Sequence, residues 1–85
     1  MRTIHTIQSL EDNKLLCTFL DGTVKIADIT SYLKGEAFKP LLDKENFSKF
    51  ENHKYYILWP DFELDLNADT LWHIGINTNN KNAKV

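Results

Sequence analysis

The chain has 85 residues, 42% apolar and 26% charged, with ten basic against twelve acidic side chains for a formal net charge of −2. That length suits one domain with a thin core, because a chain of this size buries roughly 60–65% of the surface its unfolded form exposes. Near-neutral charge and a lone arginine, Arg2, argue against direct nucleic-acid binding, which needs cations clustered over phosphates. Cys17 is the sole cysteine, so no internal disulfide is expected and a reducing, cytoplasmic setting is the natural expectation. No signal-like start and no apolar run of membrane-spanning length are visible.

The first predicted element is a strand over "TIHTIQ", residues 3–8, ending at the turn-forming "EDN". Next, "KLLCTFL" and "TVKIADI" flank Asp21-Gly22, a step that favours a two-residue hairpin turn with positive φ at both central positions. That register pairs Phe19 with Val24 and Cys17 with Ile26, and sets Leu15 opposite Asp28. It therefore places Leu15, Cys17, Phe19, Val24 and Ile26 on the core face. The opposite face, with Leu16, Thr18, Leu20, Lys25 and Ala27, is only half polar, which predicts some cover over it.

"ITSYLKG" reads as a short helix capped by Thr30 or Ser31 and stopped at Gly35. A tight turn follows at Pro40-Leu41-Leu42, then a short helix from Lys44 to about Lys49 capped by Asp43. Phe38, Leu41, Leu42, Phe47 and Phe50 are the inward positions. "KYYILWP", residues 54–60, sets Tyr55, Ile57 and Trp59 against Tyr56 and Leu58, apolar on both faces as in a central strand. Pro60-Asp61 turns the chain into "FELDL", where Phe62, Leu64 and Leu66 point inward and Glu63 and Asp65 outward. Asn67 caps a last helix, "ADTLWHI", which stops at Gly75. These elements predict an α+β domain over residues 1–76. It has a small antiparallel or mixed sheet of about five strands (two hairpins and an N-terminal strand) and two or three short helices. The polar stretch 77–85 is expected to be a disordered tail.

In order and spacing, several stretches together resemble the bacterial family known as domain of unknown function 2442. They are the early strand, "LCTFLDGTVKIADIT", "AFKPLLDKENFSKF" and "WPDFELDLNADTLW", with Trp72 where the family more often has tyrosine. The resemblance implies a compact α+β domain, found alone or joined to helix-turn-helix domains. Stand-alone members look like partners in two-gene modules of the toxin–antitoxin type, and no catalytic residue is implied.

The acids Asp61, Glu63, Asp65 and Asp69 alternate as in a calcium loop. A calcium loop of the EF-hand kind, however, needs glycine at its sixth position and glutamate at its twelfth. Counted from Asp61, those positions hold Leu66 and Trp72. Solvent-facing acids on a strand, with Asp69 complementing a helix dipole, are the simpler expectation, and no metal or cofactor is expected. His5, His53 and His73 have no ligand spacing, and Cys17 reads as a small buried hydrophobe.

Asp28, at the end of the second hairpin strand, fits a cap for the following helix, or a general acid or base if a second group stands near. Exposed tryptophan or tyrosine would serve as interface anchors. Asp28, Trp59, Asp65, Asp69 and Trp72 are thus the positions singled out for interaction or for the family motif. The leading expectation is a non-enzymatic protein-interaction module, with a protein partner encoded nearby or a second copy of itself. The alternative is a small ligand binder or enzyme using Asp28 with Asp65 in a shallow pocket.

Overall fold

The structure, a computed structural model, describes residues 2–78. Three strands open the fold: β1 (Ile4–Ser9), β2 (Lys14–Phe19) and β3 (Val24–Asp28). The hairpin between β2 and β3 lies where Asp21-Gly22 predicts it, but its loop is one residue longer. Phe19 N–H donates to the Thr23 carbonyl at 2.8 Å, Gly22 N–H donates back to the Phe19 carbonyl at 2.9 Å, and Gly22 takes φ +92°. This is a turn closed by a left-handed glycine, the usual three-residue hairpin loop. The Asp21 carboxylate accepts from Thr23 N–H and steadies it.

The extra residue shifts the register by one. Thr18 pairs with Val24, Leu16 with Ile26 and Leu15 with Ala27. A one-residue slip exchanges the faces of a strand. Leu15, Cys17 and Phe19 are buried as expected, but beside them β3 offers Lys25 and the buried Ala27. Val24 and Ile26, predicted for the core, lie on the outer face instead.

The segment Thr30–Lys34 is a 3-10 helix rather than an α-helix, and neither Thr30 nor Ser31 caps it. Asp28 does so from one strand end back: its carboxylate accepts from Thr30 N–H at 3.0 Å and from Thr30 Oγ1 at 2.6 Å. A second 3-10 segment, Glu36–Leu42, runs through Pro40 where a tight turn was expected. The short helix α1 (Lys44–Phe47) follows, with the Asp43 side chain accepting from Glu45 and Asn46 N–H as its cap. Leu41 and Phe47 are buried, Phe38 and Phe50 half-buried, and Leu42 is exposed.

Then come β4 (Glu51–Asn52), β5 (Tyr56–Trp59), β6 (Leu64–Asn67), α2 (Ala68–Ile74) and β7 (Ile76–Asn77). The class is α+β as read from sequence, with seven described strands in two antiparallel sheets rather than about five in one. One sheet has the order β1-β2-β3-β7 and the other β4-β5-β6, with β5 central. Phe62 and Glu63 belong to the loop before β6, where Phe62 N–H returns to the Trp59 carbonyl and Glu63 takes φ 54°. Asn67 caps α2 through Thr70 N–H, as its position predicts. Ile76 and Asn77 pair with β3, and residues 79–85 of the expected tail lie outside the described residues.

Buried side chains from both sheets and the helices form one cluster, including Ile4, Leu15, Phe19, Leu33, Trp59 and Leu71. Cys17 sits inside it with no solvent exposure, and burial pushes its thiol up to about 12. The native thiol is therefore expected to resist an aromatic disulfide reagent at about pH 8, reacting only in urea that unfolds the chain. Stoichiometric labelling of the native protein within minutes would contradict this burial.

Candidate functional site

The strand alternation of β5 sends Ile57 and Trp59 into the core and Tyr56 and Leu58 to the outer face of the three-stranded sheet. Across from them on β6 stand Asn67, paired with Tyr56, and Asp65, paired with Leu58. On the other side Leu58 pairs with Glu51 of β4, so Glu51, Leu58 and Asp65 make one row across the sheet. Tyr55, just before β5, and Asp69, in the first turn of α2, complete the rim. Together Tyr55, Tyr56, Leu58, Asp65, Asn67 and Asp69 line a shallow concavity of about 410 Å³.

Its walls are aromatic and its charges are carboxylates. Tyr55 is 50% exposed and Tyr56 38%. The Tyr56 ring is supported from one side by His53, stacked at 4.9 Å with the planes 3° apart, and His53 Nε2 meets Glu51 Oε1 at 3.0 Å. The Asp69 carboxylate accepts from Arg2 N–H at 3.0 Å. The Asp65 side chain, by contrast, has no hydrogen-bond or ion-pair partner among the described residues. A second shallow hollow, lined by Tyr32, Asn67, Asp69, Thr70, His73 and Ile74, continues the surface around the start of α2.

Residues 4–77 match a family described as "Protein of unknown function (DUF2442)". The chain belongs to that family. No curated protein and no solved structure matches the chain.

Of the five positions singled out in this DUF2442 domain, only Asp65 and Asp69 come together. Trp59 is fully buried: its Nε1 donates to the Phe47 carbonyl at 2.8 Å, and its ring lies among Phe47 and Phe50. It is a core residue with no exposed surface to offer a partner. Trp72 is half-buried and held on the side of α2, edge-on to Phe19 at 4.9 Å. The Arg2 guanidinium lies 3.6 Å and the Lys25 ammonium 4.2 Å from the centre of its ring. Lys25 Nζ also donates to the Trp72 carbonyl at 2.9 Å, a cation placed at the C-terminal end of a helix. The lone arginine is thus engaged with Trp72 and with Asp21, 3.9 Å away.

Asp28 is exposed on the four-stranded sheet, where its bonds to Thr30 hold its carboxyl below the usual carboxylate range. Asp65 is exposed on the three-stranded sheet. The two carboxylates face solvent on different sheets, and the hollow lined by Asp65 does not include Asp28. The described residues contain no group of three His, Cys, Asp or Glu side chains that could hold a metal ion. No helix among them is long and apolar enough to cross a membrane.

Reading β5 as apolar on both faces leaves open which of its side chains stay exposed, so Tyr55, Tyr56 and Leu58 are not among the five positions singled out. A strand central in its sheet can still have one open face. The two tyrosines, amphipathic and adjacent to alternating acids, were the available signal.

Proposed function

We propose that this DUF2442 domain is a non-enzymatic protein-interaction module that binds a lysine- or arginine-bearing segment of a partner protein on the open face of β4-β5-β6. The observation that carries this reading is the pair of exposed tyrosines set among Asp65, Asp69 and Glu51. Tyrosine is a favoured binding anchor because it buries much area with little side-chain entropy. Exposed carboxylates beside it, Asp65 without a partner of its own among the described residues, select a basic partner and speed its encounter. The fold already uses the same chemistry internally, where Arg2 and Lys25 lie over Trp72. The shallow form of the concavity suits a segment laid across a sheet better than a substrate enclosed from water.

In this reading the domain acts in the cytoplasm as the neutralising or regulatory partner of a neighbouring gene product, in a toxin–antitoxin-type pair or a comparable one. Any link to nucleic acid passes through the partner's charge. Co-expression with adjacent gene products followed by affinity capture tests it. The expected result is a stable complex that Tyr55→Ala with Tyr56→Ala weakens by about 2 kcal/mol or more. Asp65→Lys is expected to slow association and flatten the salt dependence. A complex indifferent to all three substitutions would refute the assignment of this face.

A further inference from the structure

The four-stranded sheet has its own open face, and its composition differs from that of the acidic face. Register sets Gln8, Leu16, Ile26 and Ile76 in one row across all four strands. The next row is Thr6, Thr18 and Val24. Leu16, Val24 and Ile26 lie outside the core cluster, on the opposite side of the sheet from Leu15, Cys17 and Ala27. Ile76 is 74% exposed, the most exposed of the large hydrophobics. Neither row contains a charge. The nearest charges on this face are Lys14 and Asp28, which sit opposite each other at one end.

We propose that this face is a homodimer interface, and that its occupant is a second copy of this chain. The charge pattern selects that occupant. The two rows are neutral, so they favour neither an acidic nor a basic partner, and at the end where Lys14 and Asp28 pair they are bordered by one cation and one anion in register. A two-fold axis running between β2 and β3, parallel to the strands, lays each cross-strand pair over its own reverse. Lys14 then meets the partner's Asp28, Leu16 the partner's Ile26 and Thr18 the partner's Val24. The central contact is thereby apolar on apolar and the bordering one cation on anion, the self-complementarity that an isologous interface requires, while Thr18 and Gln8 lie against the partner's Val24 and Ile76. The two sheets stack as in a sandwich, their faces roughly 10 Å apart. In the dimer the acidic tyrosine faces of the two copies remain free, so one dimer presents two binding surfaces.

Sedimentation velocity on the full chain tests the inference. The wild-type protein is expected to sediment as a dimer at micromolar concentration. Ile76→Asp and Lys14→Glu are each expected to weaken association roughly tenfold or more. Both positions lie outside the core, so far-UV circular dichroism and the urea midpoint report whether folding is intact. Tyr56→Ala is expected to leave the dimer unchanged, separating this face from the one proposed for the partner. A monomer up to roughly 100 µM, an affinity too weak to count as specific, overturns the inference. A dimer insensitive to both variants does the same. A monomer that dimerises only after truncation at Thr78 also overturns it, and assigns the face to residues 79–85.

Discussion

Trp59→Ala is expected to remove about 3–5 kcal/mol of stability, most of what a domain of this size has to lose. The indole is the largest fully buried side chain and has no contact with water. Its ring packs at 6.2 Å from Phe47 and 6.1 Å from Phe50, bringing together β5, α1 and the segment that leads into β4. Truncation leaves a cavity walled by rigid aromatic rings and strands, which cannot collapse far. It also removes the indole N–H that donates to the Phe47 carbonyl at 2.8 Å, the one donor to that oxygen among the described residues. Trp59→Phe separates the two contributions: it keeps most of the volume but leaves that buried acceptor unmet, at about 1–3 kcal/mol. Urea denaturation followed by circular dichroism measures both. If the phenylalanine variant is as stable as wild type, the indole N–H contributes nothing and Trp59 acts by volume alone.

Gly75→Ala is the second large effect, at about 1–3 kcal/mol destabilising. Its cause is a close approach of chain segments. Gly75 has φ −71° and ψ 149°, a conformation any residue adopts, so no left-handed cap requires glycine here. A Cβ at this position would stand 2.8 Å from the Leu71 carbonyl oxygen and 2.9 Å from Lys25 Cβ. The first contact is backbone, and that carbonyl already accepts from Gly75 N–H at 3.0 Å. Relief therefore means breaking the end of α2 or moving it off β3, which also disturbs Lys25 over Trp72. Gly35→Ala is the matched control. Its new Cβ would meet nothing closer than 3.7 Å at an ordinary φ, so a change within about 0.5 kcal/mol is expected. Equal urea midpoints for the two variants would show that Gly75 is not sterically required.

Gly75 illustrates how sequence reading succeeds and fails at one residue. Its position after "ADTLWHI" predicts the end of a helix, and the helix ends there. Half of the reason it must be glycine is local, the Leu71 carbonyl of the same helix, and the other half is Lys25, fifty residues earlier in the chain, which only tertiary packing brings near. The hairpin behaves the same way. Asp21-Gly22 marks the turn without stating whether its loop holds two residues or three, because both loops use glycine at positive φ. That single residue decides whether Ile26 or Lys25 enters the interior. The half-polar outer face predicted for β2 and β3 is therefore a more apolar one, built from Leu16, Val24 and Ile26.

The two tryptophans of "LWPDFELDLNADTLW" part for a similar reason. Both are candidates for packing or for an interface on composition alone. Trp59 is inward by strand alternation and lies in the central strand of its sheet, so it is enclosed. Trp72 lies on the side of α2 that meets Arg2 and Lys25, and is enclosed only in part. The acids of the same stretch read correctly one by one, since period-two alternation places Asp65 outward whatever the sheet pairs with. Their assembly with Tyr55 and Tyr56 could not be read that way, because it depends on β5 and β6 pairing in register.

Local chemistry was enough for the α+β class, the strand alternation, the Asp43 and Asn67 caps, the burial of Cys17 and the absence of a calcium-loop pattern. Each depends on residues within a few positions of one another, where hydrogen-bond reach and backbone period act directly. The hairpin register, the division into two sheets, the separation of Asp28 from Asp65 and the two open faces were decided by tertiary structure. They depend on which strands pair and at what offset. An offset of one residue costs little locally yet reverses every side chain along a strand.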